Sequence, residues 1–298
     1  MGERKEHQSH RRVVERLLDG RDDAHEQGAN SDGAAEKIQT MKDYDGFNRR
    51  LNELAFGRYA FFLNYGYVAN ENPSAAVVSP PPGHFDVNSR RLVLEVIGEC
   101  PVDGRDVLDV SCGRGSVVTI LRDYFHPRSY KGIDISSEAI AFCRKHHQAE
   151  HFTFEEGDAE AMAVETAAYD VVINIEASHT YPDVQSFVRE VHRVLRPGGW
   201  FLYTDLGTPK GFERTVRLAR ELGFEMLRDL DITSNVLLSC EETAGRRLKV
   251  YRDAEERAAM AEFLAVSGSR TGRAFEDGSL CYRLFTFRKE PDGTERAG

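Results

Sequence analysis

No run of about 18 apolar residues occurs in this 298-residue chain, so nothing in it reads as a transmembrane span. The first residues are charged rather than apolar, unlike a secretory signal. Cysteine is scarce: five residues, an odd number, with no C-x-x-C spacing, which excludes a disulfide framework and a four-thiolate zinc site. Positive charge is in deficit, with 39 Lys plus Arg against 49 Asp plus Glu and a net charge of -10. That balance excludes the basic footprint which nucleic acids and anionic membranes require. These absences together predict a cytoplasmic protein with reduced thiols. It would bind neither nucleic acid nor membrane and would work, as a monomer or homodimer, on a small molecule.

Aromatic residues are absent before Tyr44, and residues 1–43 mix both charges around a short apolar patch at Val13, Val14, Leu17 and Leu18. Such a segment buries too little surface to offset its ordering entropy, so a mobile extension with one short helix is expected there. From Tyr44 the composition reverses. Tyr44, Phe47, Leu51, Leu54, Phe56, Tyr59, Phe61, Phe62, Tyr65 and Tyr67 crowd together ahead of the Pro/Gly break at 80–83, and residues 44–100 are expected to form a helical lid. Residues 101–206 then alternate short apolar strands, at 106–110, 129–133, 152–155, 170–175 and 200–205, with amphipathic helical stretches. Val184, Phe187, Val188 and Val191 fall at i, i+3, i+4 and i+7. Strand–helix alternation predicts a Rossmann-like α/β domain, its sheet mostly parallel with helices on both faces, and ligands at the carboxyl ends of the strands. Residues 207–298 add strands at 225–233 and 279–288. The stretch between them is too long for a hairpin turn and is expected to cap the site.

The chemistry-bearing motifs all fall at those strand ends. In VLDVSCGRGS a buried strand runs into Gly113 and Gly115 before a helix, and glycines there let backbone N–H groups approach a ligand. The next strand ends KGIDIS, with Asp134 where a carboxylate can take two ribose hydroxyls, while Ser136 serves as the helix cap. The third ends EEGDAE, with Asp158 set for an adenine amino group. The fourth ends NIEASHTY, with Glu176 and His179 at its lip. A turn at Pro197, Gly198 and Gly199 leads into a fifth strand finishing at Asp205.

Taken in order and spacing, LDVSCGRG, GIDIS, EEGDAE and RVLRPGGWF resemble the class I S-adenosylmethionine-dependent methyltransferases, from about Tyr59 to Arg288. The resemblance implies a seven-stranded sheet with an antiparallel last strand and S-adenosyl-L-methionine as cofactor. By the same resemblance Asp109, Ser111, Gly113 and Gly115 hold its methionine portion, Asp134 and Ile135 the ribose, and Asp158 with Ala159 the adenine. Tyr67 and Asn174 complete the cofactor contacts. FLNYGY, at 62–67, looks like the family's N-x-G-Y-W segment, with Val68 in place of its Trp, and Ser111 stands where the family usually has Gly. EASHTYPD and DITSNV look like O-methyltransferases that act on polyketide- or fatty-acid-like intermediates, free or carrier-bound.

Methylation of a hydroxyl benefits from a general base near neutrality. His179 suits that role, with Asp205 to orient it and Glu176 as the competing partner. No metal is expected: Asp205 is followed by Leu206 rather than a second carboxylate, and His146, His147 and His151 lie away from the strand ends. The rival readings are a small-molecule C- or N-methyltransferase, and a non-catalytic cofactor-binding regulatory partner. A nicotinamide oxidoreductase is disfavoured by the missing third glycine.

Overall fold

Short runs rich in β-branched and aromatic residues become the strands of one seven-stranded sheet ordered β3-β2-β1-β4-β5-β7-β6. A computed structural model describes residues 32–53, 57–70, 75–249 and 254–291 together with Glu15 and Leu18. The strands are β1 (Asp106–Val110), β2 (Ser129–Asp134), β3 (Phe152–Glu156), β4 (Tyr169–Ile175), β5 (Leu195–Gly207), β6 (Phe224–Asp231) and β7 (Cys281–Lys289). Strands β1 to β5 pair in parallel, and β7 enters antiparallel between β5 and β6. The helices are α1 (Asp32–Glu53), α2 (Val87–Ile97), α3 (Ser116–Tyr124), α4 (Ser137–His146), α5 (Val184–Val194), α6 (Pro209–Glu221), α7 (Thr233–Leu248), α8 (Ala254–Phe263) and α9 (Arg270–Glu276).

The two-residue period of each strand sends alternate side chains to opposite faces. Val107 joins the core formed with α2, α3 and α4, whereas Leu108 joins the one beneath α5 and α6. The second core is aromatic: Phe201 stacks on Tyr203 and Phe287, with ring centroids 5.4 and 5.8 Å apart. Both faces being covered, β1 and β4 are buried along most of their length.

Three boundaries differ from the sequence expectation, each for a local reason. The Pro197–Gly199 turn lies inside β5, because Tyr169 pairs with Leu195 while Val171 pairs with Trp200, so the turn bulges out of an unbroken strand. Strand β6 stops at Asp231 because the Asp231 carboxylate accepts the Thr233 N–H at 2.9 Å, turning the chain into α7. The expected boundary at residue 43 falls within α1, so residues 32–43 belong to an ordered helix rather than to the extension. Of the short helix expected around the apolar patch at 13–18, only Glu15 and Leu18 lie among the described residues.

The lid is therefore α1. Residues 87–97 form instead a core helix whose Leu92, Val93 and Val96 are fully buried. Helix α1 is fastened to the loop and helix after β2. The Asp45 carboxylate accepts from Ser136 Oγ at 2.7 Å, and Arg49 pairs with Glu138 at 3.0 Å. Helices α7 to α9 fill the insertion between β6 and β7. Among the described residues none of 234–278 lines the main cavity, so they do not cap it. They buttress its wall from behind: Ser239 Oγ donates to Tyr65 O at 2.8 Å, and Asn235 exchanges bonds with the Val68 backbone.

Candidate active site

The carboxyl ends of β1 to β5 open into one large cavity roofed by α1. Lys37, Thr40, Tyr44 and Phe47 line it, spaced three and four residues apart so that one helix face looks inward. Sequence reading placed Tyr44 and Phe47 there and missed Lys37, Thr40, Asp43 and Asn48, though their helical spacing was legible. Phe61 and Tyr65 complete the aromatic wall. Tyr67, expected against the cofactor, is instead buried in the core, with its backbone N–H donating to Asn88 O at 2.9 Å. The strand-like alternation of that segment points Tyr65 and Tyr67 into packed surroundings, and it is Tyr65 that reaches the cavity.

The glycine turn after β1 is built for close approach. Gly113 has φ +53 and bares its backbone to the cavity. Gly115 has φ +82 and caps α3, and a Cβ there would stand 2.4 Å from His147 Nε2, so it shapes the turn without lining the cavity. Ser111, at φ +58, keeps the left-handed conformation that glycine would favour, and its hydroxyl meets Tyr181 OH at 2.6 Å. Tyr181 OH in turn accepts from Asn174 Nδ2 at 2.9 Å, whose amide also donates to Val110 O. Asn174 thus ties β4 to β1 behind the cavity and does not line it. Asp109 is likewise behind the turn: its carboxylate accepts from Tyr130 OH at 2.7 Å, and burial pushes it up to about 7.

Between the two glycines, Arg114 is 1% exposed. Its guanidinium donates to Ala60 O, Gly57 O, Asn48 Oδ1 and Asn52 Oδ1 and stacks 3.5 Å over Phe142, while burial lowers it to about 10. This side chain, unremarked in the sequence reading, ties the glycine turn to the lid.

Asp134, Ile135, Asp158 and Ala159 all line the cavity. The Asp134 carboxylate accepts the Gly113 N–H at 2.8 Å and the Ser136 N–H at 2.8 Å, and burial raises its pKa. Asp158 lies on the next strand end and accepts from Lys37 Nζ at 2.7 Å; the same ammonium also bridges Glu160. Two carboxylates on neighbouring strand ends beside a bare glycine turn are a donor and acceptor set that fits a ribose and an adenine. The inward-facing aromatics suit the rest of an adenosyl sulfonium.

On the far side, His179 sits in the short 3-10 turn Ser178–Thr180 after β4. Its Nδ1 lies 2.7 Å from Asp205 Oδ1. Asp205 is fully buried and also takes the Ser178 hydroxyl at 2.6 Å, the His179 N–H at 2.9 Å and the Leu206 N–H at 2.8 Å. Donors converge on both Asp205 oxygens, so the carboxylate acts as acceptor and His179 Nδ1 as donor toward it. Glu176 has φ +51, and its Oε1 accepts from the Tyr65 N–H at 2.8 Å and from Tyr282 OH. Burial raises that carboxyl to about 7. Asp205 is thus the carboxylate that grips the imidazole, and Glu176 anchors the aromatic segment at 61–68. His147, by contrast, meets Arg114 O through Nε2 and His146 stacks on Phe142, so both serve packing.

Residues 108–203 match the family model described as a methyltransferase domain. The chain is 36% identical over 242 residues to the phthiotriol/phenolphthiotriol dimycocerosates methyltransferase of Mycobacterium leprae (strain TN), covering 77% of this chain and 85% of that one. It is 32% identical over 231 residues to the fatty-acid O-methyltransferase of Mycolicibacterium smegmatis, covering 76% and 83%. Among solved structures, the [4+2]-cyclase SpnF superposes with a TM-score of 0.68 at 22% identity, covering 86% of this chain and 97% of that one. The geranyl diphosphate C-methyltransferase of Streptomyces coelicolor A3(2) gives 0.56 at 16% identity, covering 83% and 98%. A cyclase among these neighbours shows that the fold alone does not dictate the reaction. Among the described residues no helix is long and apolar enough to cross a membrane, and no cluster of His, Cys, Asp or Glu is arranged to hold a metal ion.

Proposed function

The chain belongs to the S-adenosylmethionine-dependent methyltransferases, and from that premise we propose that it methylates an oxygen of a largely apolar, lipid- or polyketide-like metabolite, with His179 as general base. The observation that carries this reading is the 2.7 Å contact between His179 Nδ1 and the buried Asp205 carboxylate. When bound, S-adenosylmethionine supplies a methyl group already activated on a sulfonium. In this reading Asp134 holds the ribose hydroxyls, Asp158 and Ala159 the adenine, and the Gly113 turn the amino-acid end. The lid face at Tyr44 and Phe47 excludes water and lets the acceptor be held in line.

An acceptor hydroxyl is a weak nucleophile at neutral pH. The His179 Nε2 lone pair takes its proton as the oxygen attacks. The imidazolium that forms is stabilised by Asp205, which is pinned by three further donors and so does not reorient. The names of the relatives, one acting on phthiotriol lipids and one on fatty acids, support an apolar acceptor. Incubation with S-adenosylmethionine and a panel of hydroxylated lipids, fatty acids and amines, read by mass spectrometry, tests the reading. Methyl ethers on the apolar hydroxyl acceptors support it, and esters on the fatty acids support the oxygen acceptor without calling on the base. Methylation confined to amines or to carbon refutes it in favour of the nitrogen or carbon alternatives.

A further inference from the structure

A second cavity lies on the opposite side of the His179 turn, between the start of α5, the end of β5 and helix α6. His179, Tyr181, Pro182 and Leu206 border both cavities, so the proposed base stands between the two. The walls away from His179 are Val188, Tyr203, Phe212 and Leu218, all of them buried. At the rim stand exposed Gln185 and half-buried Arg214.

The hydroxyls on these walls are engaged inside the protein. Ser178 Oγ meets Tyr203 OH at 2.7 Å and donates to Asp205, and Thr215 Oγ1 donates to Gly211 O at 3.2 Å. Thr208 Oγ1 accepts the Gly211 N–H at 3.1 Å. What the interior of this cavity offers a ligand is therefore carbon, with polar groups confined to the dyad end and the rim. A head carrying one reactive oxygen and a tail of unbranched hydrocarbon has the complementary shape and polarity.

We propose that this second cavity binds the aliphatic chain of the acceptor, running from the oxygen held at His179 toward the rim at Gln185 and Arg214. The proposal rests on the oxygen-methylation reading for the position of the head group and adds the site that selects the tail. Helix α6 then sets chain length. Its inward residues Phe212, Thr215 and Leu218, spaced three apart, form the side of the channel that larger residues would close.

The test uses a homologous series of straight-chain fatty acids, from short to long, with binding to the full-length protein followed by calorimetry in the presence of S-adenosylhomocysteine. Each methylene moved from water into the channel should tighten binding about three- to fourfold until the chain reaches the rim, after which affinity levels off. Thr215→Phe should bring that plateau several carbons earlier, and Gln185→Trp, at an exposed position, should weaken the longest chains alone. The circular dichroism spectrum and unfolding midpoint check that each variant folds, and Gln185→Trp serves should Thr215→Phe fail. Affinity independent of chain length, or a plateau that neither folded variant moves, overturns the chain site. Methyl transfer to the same acids keeps the two readings apart. Chains that bind as described but never gain a methyl group refute the oxygen-acceptor reading and leave the chain site standing. Methylation with an unmoved plateau does the reverse.

Discussion

Asp134, buried, and Glu176, half-buried, are both carboxyls at strand ends, yet their surroundings assign them different work. Asp134 faces the cavity with its oxygens on two backbone N–H groups, an arrangement that favours the charged form against the cost of burial. Asp134→Ala should weaken S-adenosylhomocysteine binding by about 2–4 kcal/mol, the range for losing charge-assisted hydrogen bonds. Unchanged affinity by calorimetry would remove it from the ribose site. Glu176, raised to about 7 from an ordinary 4.5, holds a proton that the unfolded chain has lost at intermediate pH. Its contribution to stability is thus complete below about 4.5 and is lost as pH rises through about 7, on the order of 3 kcal/mol. Asp109, raised to about 7 from 3.8, acts in the same sense. Urea unfolding at several pH values should show a shallower decline across that window in Glu176→Gln than in the unmodified protein. Identical declines would contradict the assignment. The sequence made Asp134, Asp158 and His179 legible because each ends a recognisable strand. It could not separate Asp109 from Asp134, since which carboxylate faces the cavity depends on Tyr130, a partner on the neighbouring strand.

At the scale of elements, the lid and the glycine turn act as one piece. Helix α1 presents its cavity face at Lys37, Thr40, Tyr44 and Phe47, and Arg114 reaches from the turn to its carboxyl end through Asn48 and Asn52. Arg114→Ala leaves two backbone carbonyls and two side-chain amides without their donor and removes the stack on Phe142. It should cost about 2–4 kcal/mol of stability and speed amide exchange throughout α1, as measured by hydrogen exchange. Exchange in α1 no faster than in the unmodified protein would show that the lid is held without Arg114. Gly115→Ala tests the turn itself. A Cβ at φ +82, 2.4 Å from His147, should lower stability by more than about 1 kcal/mol, and an unchanged unfolding midpoint would contradict the turn geometry. The first part of the lid helix, residues 32–43, is not legible in the sequence because it has no aromatic residue and is mostly polar. Composition therefore marked residues 32–43 as extension, and the helix becomes visible once its partners Ser136, Glu138 and Asp158 are placed beside it.

Over the whole molecule, the alternation of strand and helix specified the sheet, and the order of the glycine and acidic motifs specified which end of it would carry the chemistry. Long-range pairing supplied what local pattern could not. Strand β7 inserts between β5 and β6 from the far end of the chain, carrying Tyr282 onto Glu176, and the insertion before it buttresses rather than covers the cavity. The same long-range assembly brings Asp205, at the end of β5, onto the imidazole at the end of β4, and the account stands on that pair. Single-turnover methyl transfer at saturating S-adenosylmethionine, compared between the unmodified protein and His179→Ala with one hydroxyl acceptor, measures it most directly. The account predicts a rate lower by roughly 10²–10⁴, with S-adenosylhomocysteine affinity unchanged and Asp205→Asn falling in between. Equal single-turnover rates in the unmodified protein and His179→Ala would contradict it.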